Sequence, residues 1–392
     1  MAMAATIAAL ATGGTRGGSS AHGGPGGVST QQPAGDGEAG GGPARSVLGN
    51  EDTRRGSAPS RDRATATRDL GELIVARYAG LRPPPGLLRR IQERQVGGVI
   101  LFGDNTAGGV SATQSAIAEL QAAARRGGDL PLLIMTDQEG GDIRRLMSMP
   151  PFRAPRAMNS AATAQAEGLA TGRALRRVGV NVDLAPVADV ERVSGSFLGA
   201  RSFGSSAQAV EQRACAFARG LSQAGVAYTL KHFPGLGEAT SSTDGSPVVV
   251  DSSSPSLRAD YGAYRRCGHG ALALVMISSA SYPNLSGTVV PAVLSPEIYR
   301  VELPRAGVRA VTISDDLDTP AIDTLRSSAL RAIDAGLNLL LYAQTEASSA
   351  DAYAKLLEDL RVGTLSHSRL TQAAESVRAL RRSLELPVRP AN

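Results

Sequence analysis

A lysine and a histidine side by side at the end of an apolar run, followed at once by proline and glycine, bring two polar side chains to a loop able to line a pocket. That stretch is Lys231 to Pro247, Lys-His-Phe-Pro-Gly-Leu-Gly-Glu-Ala-Thr-Ser-Ser-Thr-Asp-Gly-Ser-Pro, and the run before it is Val226 to Leu230. Polar residues stand at comparable places elsewhere. Asp137 opens Asp-Gln-Glu-Gly-Gly after a run ending at Met135; Asn181, Asp183 and Asp189 accompany Pro186; Ser278 and Ser279 follow Ile277; and Ser314, Asp315 and Asp316 follow Ile313. Carboxylates beside cations offer charged hydrogen-bonding groups, whose bonds are the stronger ones. Carboxylates can also serve as nucleophiles and as general acids or bases. For a single Asp at a strand end, a helix cap or a satisfied turn is the simpler reading. Five strand ends doing it together point to a site.

The elements that would carry these residues alternate in type. Apolar runs read as buried strands at Gly97–Phe102, Leu130–Met135, Val180–Val187, Val226–Leu230, Ala271–Ile277, Val308–Ile313 and Leu337–Tyr342, with an eighth expected inside Leu70–Ala79. Helical spacing occupies Leu87–Gln95, Ser111–Arg126, Ala164–Val178, Ala207–Ala224, Leu257–Gly268, Pro296–Leu303 and Pro320–Ala335, with closing helices near Ala352–Leu360 and His367–Leu384. Strands apolar on both faces and separated by helices make a parallel sheet covered on both sides. No glycine-rich phosphate fingerprint opens any helix, which weighs against an open dinucleotide-binding sheet. The expected fold is therefore a (β/α)8 TIM-type barrel, whose active sites gather at the C-terminal ends of the strands, where all the clusters above stand.

Composition narrows the class further. The chain has 392 residues, a net charge of +5, 4% aromatics and no tryptophan, and its arginines are scattered among carboxylates. Neither a basic stripe nor a stacking platform results, so nucleic-acid binding is not expected. Cys215 and Cys267 are the only cysteines, each in a helix-like segment and without Cys-x-x-Cys or Cys/His spacing, so neither a thiolate metal site nor a disulfide framework is expected. Residues 1–68 are expected to be a disordered tail rich in Gly, Ala and Ser, ahead of one catalytic domain over 69–392. Met1 to Ala11 resembles the middle of a degenerate secretory signal without its basic start, which favours a secreted or envelope location slightly over a cytoplasmic one. No apolar run of about eighteen residues occurs, so no membrane span is expected.

Six motifs in order carry a family resemblance: Gly-Gly-Val-Ile-Leu-Phe (97–102), Asp-Gln-Glu-Gly-Gly (137–141), Asp-Leu-Ala-Pro-Val-Ala-Asp (183–189), Ala-Arg-Ser-Phe (200–203), Lys-His-Phe-Pro-Gly (231–235) and Ser-Asp-Asp-Leu (314–317). Over Leu70 to Leu384 the chain resembles family 3 glycoside hydrolases, most of all the single-domain β-N-acetylhexosaminidase branch that trims N-acetylglucosamine from cell-wall fragments. The resemblance implies a retaining hydrolase of terminal β-linked sugars, with no cofactor and no metal. It assigns the nucleophile to Asp315, and the grip on sugar hydroxyls and the acyl group to Asp137, Arg145, Arg201, Lys231 and His232. Retention requires a carboxylate beneath the anomeric carbon and a proton donor about 5 to 5.5 Å away.

The chain departs from the family in the loop after Gly237. Where the branch carries Asp-Ser-His, with the histidine as acid/base, this sequence has Ser242-Thr243-Asp244, and Leu236 replaces an earlier histidine. His22, His232, His269 and His367 do not stand at the vacated position. Asp244 is the first candidate for the acid/base and Glu238 the second. Two other readings stay open: a sugar-binding pseudoenzyme without turnover, and a Schiff-base aldolase with Lys231 as nucleophile.

Overall fold

Strands and helices alternate from Ile74 onward because short apolar runs bounded by glycine, proline or asparagine can bury both faces only inside a covered parallel sheet. The computed structural model describes residues 58–323 and 327–385. Its strands are β1 (Ile74–Arg77), β2 (Gly98–Leu101), β3 (Leu133–Thr136), the ribbon β4 (Gln138–Gly140) and β5 (Ile143–Arg144), β6 (Val182–Asp183), β7 (Ala227–Phe233), β8 (Ala273–Ile277), β9 (Val311–Ser314) and β10 (Leu340–Leu341). Eight of them form one sheet in the order β10-β1-β2-β3-β6-β7-β8-β9, every neighbouring pair parallel. A parallel bridge between Ile313 and Leu339 joins β9 back to β10, and the sheet is nearly closed. This is the expected (β/α)8 barrel, and β1 is the eighth strand expected within Leu70–Ala79.

Two apolar layers hold it together. Val75, Ile100, Leu133, Met135, Val182, Leu274, Met276, Ile313 and Leu341 point into the barrel, and Val377, Leu380 and Leu384 of helix His367–Glu385 join them. The same helix buries Arg381 in an ion pair with Glu72 and Asp129. The larger layer lies between the strands and the surrounding helices. Serine and threonine caps start those helices: Ser160 accepts from the Thr163 amide, Ser206 from Ala209 and Thr345 from Ser348.

Several expectations are corrected. Cys215, in helix Ala207–Gln223, and Cys267, ending helix Gly262–Cys267, form a disulfide with Cα atoms 5.7 Å apart. Their separation of 52 residues hid the pairing, which arises only because these two helices pack side by side. The boundary at residue 69 falls inside helix Ala58–Glu72, whose Ala66 is buried against the core. The rest of the expected tail, residues 1–57, lies outside the described residues. Expected strand Val180–Val187 shrinks to β6 plus a bridge from Val187 to Lys231, because Pro186 has no amide hydrogen for a ladder. Expected helix Leu257–Gly268 is two short helices, Ser254–Ala259 and Gly262–Cys267.

Candidate active site

The barrel mouth holds a cavity of about 330 Å³, at the small end of the range for small-molecule pockets. Its lining includes Asp137, Arg145, Arg201, Lys231, His232, Asp244 and Asp315, so all seven residues singled out from the sequence converge there. Glu238 is not among the lining residues; its carboxylate accepts a hydrogen bond from the Ser252 hydroxyl.

One wall is a charge cluster on the ends of β3, β4 and β7. The Lys231 ammonium donates to Asp137 at 2.9 Å and lies 2.6 Å from Glu139, while Arg201 holds Glu139 with two bonds of 2.8 Å. Arg145 reaches the other oxygen of Asp137 at 3.5 Å. The loop carrying Arg145 is fixed by Gln138, whose side-chain oxygen accepts from the Arg145 and Leu146 amides. Glycine makes the ribbon possible: Gly140 has φ 116°, and a Cβ there would collide with the Arg153 carbonyl.

Charge decides the protonation of this cluster. For Glu139, burial alone would raise the pKa, but the charges of Lys231 and Arg201 outweigh it and bring it to about 2. Burial would raise the pKa of Asp137 as well, but the charges of Lys231 and Arg145 outweigh it and the pKa is lowered. Lys231 is the mirror case: burial lowers its pKa, yet Asp137 and Glu139 raise it above the ordinary value. A Schiff-base lysine must be neutral to attack, so this pairing opposes the aldolase reading.

His232 is organised from behind. Its Nδ1 lies 2.8 Å from Asp189, which also accepts from the His232 and Leu236 amides at 3.1 and 2.7 Å. The turn that follows needs Gly237, where a Cβ would overlap the Val190 carbonyl.

The opposite wall belongs to β9. The half-buried Asp315 sits immediately after it, with Oδ1 accepting from the Asp316 amide at 2.9 Å and Oδ2 from the Thr243 hydroxyl at 3.4 Å. Burial raises its pKa; the charge of His232 lowers it and that of Asp244 raises it, so all three groups share one field. Asp316 caps no helix with its side chain. Its oxygens accept from the Asp318 and Ala343 amides, both at 3.0 Å, and from the Gln344 amide group at 2.8 Å, tying the β9 loop to the end of β10. Asp244 itself is exposed, and its amide is held by the Ser242 hydroxyl at 3.2 Å.

Sequence reasoning gave no role in the site to Glu139, Asp189 and Thr243, although Asp189 stood in one of the strand-end clusters. The first two stood inside motifs already quoted; Thr243 carried no signal beyond its place in the altered loop. Among the described residues, no group of three or more His, Cys, Asp or Glu is arranged to hold a metal ion.

A parallel barrel with a small polar cavity at its C-terminal mouth, lined by separate carboxylates and a cation–carboxylate grip, is an arrangement found in the class of enzymes that bind and cleave sugars. Within that class the chain belongs to glycoside hydrolase family 3: residues 69–380 match the profile described as "Glycosyl hydrolase family 3 N terminal domain". It is 32% identical over 327 residues to an uncharacterized secreted glycosyl hydrolase of Arthroderma benhamiae, covering 80% of this chain and 92% of that one. It is 31% identical to the beta-hexosaminidase LpqI of Mycobacterium tuberculosis, covering 80% of this chain and 81% of that one. Among solved structures, a family 3 beta-N-acetylglucosaminidase from Paenibacillus superposes with a TM-score of 0.76 at 29% identity. That match covers 82% of this chain and 63% of the longer Paenibacillus chain.

Proposed function

We propose that the protein is a retaining glycoside hydrolase that removes terminal β-linked N-acetylhexosamine, with N-acetylglucosamine the first sugar to test. The observation that carries this reading is the attachment of Asp315: both oxygens are held, on the floor of a cavity whose far wall is the Lys231 cluster. A nucleophile so aimed can attack the anomeric carbon while the far wall grips the hydroxyls. The cavity's size suits one terminal sugar. The relatives named as hexosaminidases and an N-acetylglucosaminidase support the choice of sugar.

In the first step the sugar settles against Asp137, Lys231 and His232, and the ionised Asp315 attacks the anomeric carbon as the glycosidic bond breaks. Asp244 donates its proton to the leaving oxygen. In the second step Asp244, now a carboxylate, takes a proton from water as the water attacks the glycosyl-Asp315 ester, and both carboxyls return to their starting forms. The Cys215–Cys267 disulfide and the secreted relative support an oxidising, extracytoplasmic setting.

Turnover of chromogenic β-glycosides by the wild type, Asp315→Ala and Asp244→Asn tests this. The expected pattern is hydrolysis by the wild type, none by the first variant and a sharp reduction in the second. A fully active Asp315→Ala enzyme removes the nucleophile assignment. No turnover on a broad panel, with sugar binding intact, makes the protein a sugar-binding pseudoenzyme.

A further inference from the structure

Phe102 follows β2 at the cavity wall, and two guanidinium groups lie over its ring: Arg77, from the end of β1, at 5.0 Å and Arg145 at 5.1 Å. Each has a buried Nε without a hydrogen-bond partner among the described residues. Arg77 is otherwise held by the carbonyls of Ala343 and Gln344, at 3.2 and 2.9 Å, and by Asp104 at 3.4 Å on the exposed rim. Among the described residues, the one carboxylate paired with Arg145 is Asp137, at 3.5 Å, and Asp137 is already bound more closely by Lys231.

The charges on this wall do not balance. Asp137 and Glu139 face three cations, Lys231, Arg145 and Arg201, while Arg77 is matched by Asp104. Asp183, beneath the cluster, makes no ion pair among the described residues; one of its oxygens accepts from the Gln138 amide at 3.0 Å, and burial raises its pKa. Within the ion pairs of this wall one positive charge is left over, at Arg145, whose carboxylate partner Asp137 is shared with Lys231; Asp244, Asp315 and Asp316 line the cavity as well. A neutral sugar satisfies hydroxyl contacts but leaves that charge uncompensated; a single anionic oxygen group compensates it.

Resting on the glycosidase reading above, we propose that Arg77, Phe102 and Arg145 form a subsite for an anionic group, a carboxylate or sulfate ester, carried by the sugar substrate. Arg77 is then a specificity residue for acidic glycosides, its stacking on Phe102 holding the guanidinium plane for such a group.

The test compares three substrates of the full chain: 4-nitrophenyl N-acetyl-β-glucosaminide, its 6-sulfate, and the β-N-acetylglucosaminide of 4-hydroxybenzoate. The second places the anion on the sugar, the third on the leaving group. The readout is the ratio of kcat/KM for each anionic substrate to that for the neutral one, in the wild type, Arg77→Gln and Arg77→Lys. The expected wild-type ratio exceeds one for one of the two anionic substrates. It should fall about tenfold or more in Arg77→Gln, fall less in Arg77→Lys, and shrink with added salt. Calorimetric binding of N-acetylglucosamine 6-sulfate, of 4-carboxyphenyl N-acetyl-β-thioglucosaminide and of N-acetylglucosamine to the same proteins reads the subsite without turnover. Hydrolysis of the neutral glycoside with no anion preference, in rate or binding, overturns the proposal and leaves the glycosidase reading standing. Anion-selective binding that depends on Arg77, with no turnover of any substrate, keeps the subsite and overturns the glycosidase.

Discussion

Replacing Glu139 by glutamine removes one charge from between two cations while keeping the side-chain volume. The Glu139 carboxylate has no exposed surface and engages Lys231 at 2.6 Å and both donors of Arg201 at 2.8 Å. Its pKa stands at about 2 against an ordinary 4.5, burial having been outweighed by the two cations. That difference corresponds to about 3 kcal/mol of stability, the size expected when one partner of a buried ion pair is lost. Because the folded-state value is depressed, the contribution is complete above pH 4.5 and disappears as the pH falls towards 2. Urea unfolding followed by circular dichroism should therefore find Glu139→Gln about 3 kcal/mol less stable than the wild type at pH 7, with the gap closing through the acid window. A difference under about 1 kcal/mol at neutral pH, or a gap that does not narrow on acidification, refutes the reasoning.

Three further outcomes are expected. Asp315→Asn should lower kcat by roughly a thousandfold or more with the fold intact by circular dichroism, since a neutral amide cannot form the glycosyl ester. Burial and the charge of Asp244 raise Asp315 above the ordinary 3.8, with His232 acting the other way. The acid limb of kcat/KM should therefore lie above 3.8 in the wild type; a limb at or below 3.8 counts against the assignment. Replacing Cys215 and Cys267 together by serine opens a loop of 52 residues and should cost about 4 kcal/mol by chain entropy relative to the disulfide-bonded wild type, read from unfolding midpoints, with the reduced wild type falling beside the variant.

The barrel was legible because its signal is local. Each strand is an apolar run that must be covered on both faces, each helix carries its own spacing and cap, and their alternation admits few topologies. The site was legible to the same depth: polar residues at strand ends must meet at one mouth once the sheet closes, and Asp137, Lys231, His232 and Asp315 do. What failed were pairings between segments. Nothing near Cys215 or Cys267 announces the other, and nothing in Asp-Gln-Glu-Gly-Gly says that the glutamate, more deeply buried than the aspartate, takes both Lys231 and Arg201.

The altered loop shows where the division falls. By itself the sequence led to the expectation that Asp244 stands where the family carries its acid/base histidine, with Glu238 nearby, because position along the chain is all that such a comparison uses. Only the tertiary structure separates their places: Glu238 turns to Ser252, while Thr243 bonds to Asp315 and Asp244 lines the same cavity. The same is true of Arg77, an ordinary strand-end arginine until β1 closes against β10 and sets it over Phe102. Residue types and their order are written in the chain, but which charges share a cavity, and whether they balance, depends on distances that exist only after the barrel has closed.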